Sequence, residues 1–461
     1  MNKNIDLTKG SITKKMITLA LPIMGTSFLQ TAYNITDMFW IGRVGTKAVA
    51  AVGTAGYFTW LANAFIMISK VGAEVKVAQN LGKRDMHSLK NYISTALQIN
   101  IILGIIYTLG VFLLREPLID YFKLGDSNVI SMAHTYLKII CIGLPAYFIN
   151  PVFTAIFNGA GNSSTPLKIN TIGLVFNMIF DPLLIYGLGP IKPMGVAGAA
   201  IATILAQILV TICFIIRIIK GNEEYLRFKV FDKVKLSYYS SIIRLGIPVA
   251  FQSGLFTMFS MVIGRIIAAW GAEAIGIQKI GSQIEAISWM TANGLSTALS
   301  AFTGQNFGAG KKERVIKGYG YTMAIASVVG LVAMGILMIF GEALFSAFVP
   351  GDTAAISMGK SYMFILGYSQ LFMCIEITTS GAFNGLGRTL IPSIISIVFT
   401  GLRIPAALLL SGELGLGLDG VWWSISGSSI IKGILLTLIF IIIIKRDKLF
   451  NNAKGQLNMK F

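Results

Sequence analysis

Charge is what this sequence has least of. Only 13% of its 461 residues are Asp, Glu, Lys or Arg, against about 25% in an ordinary soluble domain. With so few charges and so much hydrocarbon, the chain is not intrinsically disordered. Cysteine is scarce too: Cys141, Cys213 and Cys374 sit in apolar runs without CxxC spacing, which excludes a disulfide framework and a cysteine zinc site. The two histidines, His87 and His134, fall in or beside loops. No GxxxxGK[ST], GxSxG or HExxH run occurs, so no ATPase, serine hydrolase or zinc protease is built in. No aspartate cluster suited to prenyl phosphates is present either. Neither an enzyme nor a bound cofactor is expected.

What the chain does have is apolar surface. Hydrophobic residues make up 54%, and the mean hydropathy is +0.73. A water-soluble particle cannot hide that much, so the bilayer is the expected solvent. Twelve stretches are long enough to cross hydrocarbon, which takes about 20 residues: 16–42, 48–80, 90–114, 131–157, 166–188, 194–219, 240–270, 277–303, 315–341, 360–385, 390–411 and 418–445. The expected fold is an all-α integral membrane protein of twelve transmembrane helices. Pro22, Pro145, Pro151, Pro248 and Pro405 lie inside spans and predict kinks. The basic start of the chain lacks the pattern of a cleaved signal peptide.

Lysine and arginine set the orientation. With the N-terminus inside, 25 of the 38 basic residues fall in or beside inner segments and 7 in or beside outer ones. Both termini are therefore expected in the cytoplasm, with the protein multi-pass in the cell membrane among its lipids. This asymmetry accounts for the net charge of +18 without a nucleic-acid partner. The domains expected are a cytoplasmic segment 1–15, an N-lobe 16–219, a cytoplasmic linker 220–239, a C-lobe 240–445 and a tail 446–461.

Four landmarks recur 226 residues apart: Pro22 with Pro248, Gln79-Asn80-x-Gly82 with Gln305-Asn306-x-Gly308, Phe157-Asn158-Gly159-x-Gly161 with Phe383-Asn384-Gly385-x-Gly387, and Pro166 with Pro392. Further on the spacing slips to 222, pairing Gly195-x-x-Gly198 with Gly417-x-x-Gly420. The spans thus form two six-helix bundles, a parallel 6+6 repeat. Their pseudo-two-fold axis is expected along the membrane normal, around a central cavity, as in an alternating-access transporter. The glycines of the QNxG and FNGxG runs read as helix C-caps.

Acids inside spans are costly, so they mark function. Asp37 stands five residues before the end of span one near Gly42, and Asp181 six before the end of span five near Gly187. Both lie about 8–9 Å below the outer ends of their helices. Tyr33 and Asn177 each precede an acid by four residues and share its face, and Asn34 is close to that face. Carboxylates with amide and hydroxyl oxygens suit a hard ion, so Asp37, Asn177 and Asp181 form a candidate Na⁺ site; equally, the acid pair could hold a proton. The repeat puts Ile263 and Ala407 where these acids stand, so the shared scaffold does not require them. Glu285, with Gln283 nearby, and Glu376 lie in spans eight and ten. Pairing with Arg265 or Arg403, contact with a cationic substrate and ion coupling all stay open for them. Asn150, the repeat partner of Glu376, is a candidate cavity amide.

The runs LALPIMGTSFLQTAYNITDMFWIG (19–42), AQNLGKRD (78–85), NGAGNSSTPLK (158–168), FDPLLIYG (180–187), IGSQIEAISWM (280–290) and TGQNFGAGKKER (303–314), taken in order, resemble the multidrug and toxic compound extrusion (MATE) family. The similarity covers about 11–445. It implies an antiporter driven by H⁺ or Na⁺ that exports organic, often cationic and amphipathic compounds, a monomer being sufficient. It also implies that Asp37, Asp181, Asn177 and Tyr33 belong to an ion-coupling cluster of the DinF-like and archaeal type. Thr203 is implied as a span-six hydroxyl, with Ala199 as the competing alignment. Other members use acids on spans seven, eight and ten; here span seven has none in its core. The alternative expectation is a lipid-linked oligosaccharide flippase of the same superfamily, which usually needs extra spans and a cationic cavity.

Overall fold

Apolar runs punctuated by Gly, Asp and Pro fold into long helices joined by short turns. A computed structural model describes residues 6–187 and 192–445; the tail 446–461 and the first five residues lie outside them. The helices are α1 (Ile12–Val44), α2 (Thr46–Lys83), α3 (Met86–Asp120), α4 (Ser127–Gly159), α5 (Ser164–Tyr186), α6 (Gly195–Ile219), α7 (Leu236–Ile267), α8 (Ala272–Gly308), α9 (Lys312–Ser346), α10 (Thr353–Gly385), α11 (Leu390–Gly401), α12 (Arg403–Leu408) and α13 (Gly417–Lys445). Span eleven is perturbed where a kink was expected, at Pro405. Helices α11 and α12 meet at Leu402, which keeps helical dihedrals (φ −64°, ψ −14°) and its bond to Val398. The span ends in a π-turn, Leu409–Glu413, so the twelve spans comprise thirteen helical segments.

Among the described residues, nine of these spans are both long and apolar enough to cross a bilayer. The three that fall short, α1, α8 and α10, carry Asp37, Glu285 and Glu376. Polar side chains concentrated there lower the hydropathy; α5, which carries Asp181 and Asn177, is still apolar enough to be among the nine.

The chain divides into two compact units: Gly25–Ala250, and Asp6–Met24 with Phe251 onward. The divisions after Met24 and after Ala250 are themselves 226 residues apart. In the first unit α4 packs on α2, α3 and α6; in the second, α10 packs on α8, α9 and α13. The same crossings are tight in both. A Cβ on Gly159 would lie 2.6 Å from the carbonyl oxygen of Glu74, and one on Gly385 would strike that of Ser300. Glu74 and Ser300 are again 226 apart. The slip is visible too: Gly198 presses on the Leu184 carbonyl, and Gly420 on that of Leu410. The pairs 184/410 and 198/420 bracket the four lost residues.

Helix ends repeat as well. Asp126 caps α4 and Asp352 caps α10, each through its carboxylate and a backbone N–H of the first turn. Gly161 (φ 81°) and Gly387 (φ 74°) close α4 and α10 in the left-handed conformation, with the next N–H reaching back to Phe157 and Phe383 at 2.8 and 2.9 Å. The QNxG glycines do not do this. Gly82 lies within α2 and Gly308 ends α8; the left-handed residues come two positions later, at Arg84 (φ 58°) and Gly310 (φ 70°). In the second unit the motif instead clamps the incoming chain: Gln305 Oε1 accepts from the Leu7 N–H at 3.3 Å, and Asn306 and Arg314 donate to the Leu7 carbonyl. The stretch before α7 is bound in its own way, with Ser94 and Gln98 of α3 donating to the carbonyls of Lys229, Val230 and Asp232.

The tight crossings give a first prediction. Gly159→Leu or Gly385→Leu should each cost about 1–3 kcal/mol through overpacking, read as a lower unfolding midpoint in detergent. Gly110→Leu, where nothing lies within 4 Å of the Cβ position, should leave the midpoint close to wild type. Equal midpoints for all three would refute the close approach.

Candidate functional site

Helices α5 and α6 of the first unit are pinned together at two levels. Near the middle of α5, a Cβ on Gly173 would strike Val210 of α6; near its end, Gly198 of α6 packs on the Leu184 carbonyl. Missing side chains at both contacts let the backbones approach, which fixes the faces between them. On those faces stand Asn177 and Asp181, both 0% exposed, and Thr203. Tyr186 donates to the Trp40 carbonyl at 2.7 Å, tying the end of α5 to the turn of α1 that carries Asp37.

The sequence-derived cluster comes together here. Asn177 Nδ2 donates to Asp181 Oδ1 at 2.9 Å, as the four-residue spacing required. The carboxyl of Asp37 faces that of Asp181, and the Tyr33 hydroxyl neighbours that of Thr203. Of the two span-six candidates, Thr203 is the one at the cluster; Ala199 is buried in the apolar core with Ile41 and Ile185. Asn34 is exposed on α1.

Each of the five residues carries one buried oxygen with no hydrogen-bond partner among the described residues: Tyr33 Oη, Asp37 Oδ1, Asn177 Oδ1, Asp181 Oδ2 and Thr203 Oγ1. An unpaired buried oxygen costs about 1–3 kcal/mol. Five converging in one place, all acceptors and two of them carboxylate, make up the donor set of a hard cation or a shared proton. Sequence reasoning missed Tyr136 of α4, buried and within electrostatic reach of Asp37, Tyr33 and Asp181. It stands five residues into span four, at the depth of the two acids, so the same arithmetic would have found it.

The second unit treats its acids differently. Glu376 is paired with Lys432 of α13 at 2.9 Å, the two side chains 10% and 5% exposed. Lys432 also went unnoticed, although a lone lysine in the run IIKGILL is as costly as an acid. Glu285 accepts from Tyr362 at 2.5 Å and from Gln370 at 3.2 Å; Gln370 in turn accepts from Ser288 at 2.6 Å. Arg265 and Gln283 are exposed. Asn150, in the first unit, donates to Gln207 and accepts from Thr211 at 2.8 Å, so its amide is fully engaged.

The Lys432–Glu376 pair makes a second prediction. Lys432→Met should cost about 3–5 kcal/mol by leaving a buried carboxylate alone, and adding Glu376→Leu should restore most of it. A double-mutant cycle on thermal unfolding checks this; no recovery in the double variant would refute the pairing.

Comparison with known proteins follows the same repeat. The MatE family profile matches twice, over residues 22–183 and 248–409. The chain is similar to "Probable multidrug resistance protein NorM" of Thermotoga maritima, 31% identical over 435 residues, covering 93% of this chain and 92% of that protein. It is similar to "Probable multidrug resistance protein YpnP" of Bacillus subtilis, 27% identical, covering 90% and 93%. Its fold matches a solved structure described as MATE in the bent conformation, with a TM-score of 0.90 at 22% identity over 98% and 99% of the two chains.

Proposed function

Because this chain belongs to the MATE family of multidrug efflux transporters, we propose that it is an antiporter whose coupling ion, Na⁺ or H⁺, is taken up in the first unit by Asp37, Asn177, Asp181, Tyr33 and Thr203. The observation that carries this reading is the convergence of five buried, unpartnered oxygens on residues already singled out from the sequence.

Two carboxylates facing each other in apolar surroundings repel strongly, since the interaction is screened far less than in water. A cation or proton between them removes that repulsion. Asn177 holds Asp181 in place through one amide nitrogen and leaves its oxygen for the ion. The hydroxyls of Tyr33 and Thr203 supply neutral oxygens, which lower the dehydration cost without adding charge.

Coupling then follows from linkage. An ion that binds one conformational state more tightly shifts the chain toward that state, and the drug's affinity changes reciprocally. Ion entry from outside favours the state that releases the organic substrate; ion loss to the cytoplasm resets the cycle. The protein works as a monomer in the cell membrane with both termini cytoplasmic. Its substrates are small organic compounds, many of them cationic and amphipathic.

The test is efflux of a fluorescent organic cation from proteoliposomes under a Na⁺ gradient or a pH gradient imposed separately. One gradient should drive wild-type efflux, and Asp37→Asn and Asp181→Asn should each reduce the driven component at least about tenfold. Thr203→Val, which removes one neutral oxygen, should cost less. Undiminished coupled efflux in a well-folded Asp37→Asn protein would overturn the assignment.

A further inference from the structure

Asn177 has a repeat partner 226 residues on, and that partner is Arg403. The two family matches keep the same spacing from end to end, so Arg403 stands in the second unit where the ion-site amide stands in the first. The equivalents of the two acids are apolar. Asp37 corresponds to Ile263 and Asp181 to Ala407, and these two are buried in one cluster with Ile267 and Val421. Hydrocarbon thus replaces both carboxylates in the second unit's counterpart of the ion cage. Tyr362, the partner of Tyr136, keeps its hydroxyl and gives it to Glu285; the one charged equivalent is Arg403, opposite in sign to the first unit's acids.

The helix is perturbed at the same point. Pro405 has no N–H to offer the Gly401 carbonyl. Leu402, between α11 and α12, keeps helical dihedrals and its N–H bonds to Val398 at 2.9 Å, and a π-turn follows at Leu409–Glu413. Such turns gather at functional sites.

The guanidinium is only partly matched. It has five N–H donors; Nε donates to Ser428 Oγ at 2.6 Å and Nη2 to Ser429 Oγ at 3.0 Å. Among the described residues no acceptor is found for Nη1, and no carboxylate lies within ion-pair distance. The two nearby acids are engaged elsewhere, Glu376 by Lys432 and Glu285 by Tyr362 and Gln370. Both Glu285 and Glu376 still act on Arg403 through space. Arg403 is neither fully buried nor exposed.

We propose that Arg403 is a carboxylate-recognising residue of the substrate path, and that the transporter accepts zwitterionic organic compounds whose acid binds Arg403 while their cationic end lies toward Glu285. A planar fork with one edge fixed by two hydroxyls presents its remaining donors to a carboxylate. The four charges Glu285, Glu376, Arg403 and Lys432 sum to zero, so a bound zwitterion keeps the site neutral. This rests on the export reading above and names a substrate class for it.

The experiment uses one rhodamine fluorophore in two forms: the free acid, a zwitterion, and its methyl ester, a cation. Efflux of each is measured from proteoliposomes of wild type, Arg403→Gln and Arg403→Lys, and each dye's effect on the unfolding midpoint is measured in detergent. Wild type should export both. Arg403→Gln should lower the ratio of acid to ester efflux at least about tenfold, and Arg403→Lys should fall between, keeping the charge without the fork. The acid's shift of the midpoint should vanish in Arg403→Gln and persist in Asp37→Asn. An unchanged ratio in both variants, or no wild-type recognition of the acid in either assay, overturns the proposal. A midpoint shift that depends on Arg403 without any gradient-driven efflux would sink the antiport reading and leave this site standing.

Discussion

A carboxylate in hydrocarbon must be neutralised, and the two halves of this protein meet that requirement in different ways. The second unit supplies its own answer: Lys432 sits on Glu376, while Tyr362 and Gln370 donate to Glu285. The first unit leaves Asp37 and Asp181 facing each other with oxygens still unpaired. The acids of one half have partners within it; the two of the other half face each other with unpaired oxygens. That asymmetry, laid over a symmetric scaffold, is what the proposed ion-coupling role rests on.

The scaffold itself rests on close backbone contact. Where lipid surrounds the helices, little hydrophobic force drives them together, and small residues allow the packing that does. Gly159 against Glu74 and Gly385 against Ser300 are one crossing made twice; Gly198 against Leu184 and Gly420 against Leu410 are another. The second kind aligns α5 with α6, so the contact that holds the first unit together also sets the distance between Asn177, Asp181 and Thr203.

Much of this was legible in the chain. Helix number, the repeat and its slip follow from hydropathy and self-similarity, because lipid forces every backbone polar group into helices. The depth of Asp37 and Asp181 followed from residue counts, and Asn177 from helical periodicity. Periodicity did not reveal partners from other helices. Lys432 lies 56 positions from Glu376, a separation no short-range pattern encodes. Gly82 and Gly308 looked like left-handed helix caps because glycine often is one; they lie at or next to the last helical residue, and the left-handed turn falls two residues later, where Arg84 adopts it in one copy.

The sequence by itself determined the class of solvent, the count of spans, the duplication and the shortlist of buried acids, since each depends on composition or on spacing along one helix. The tertiary structure decided which acids are closed and which are open, that Thr203 rather than Ala199 meets Tyr33, and that span eleven passes into a π-turn after Arg403. Those outcomes depend on which side chains of different helices come within about 3 Å of one another, the range of a hydrogen bond, and only the packed chain fixes that.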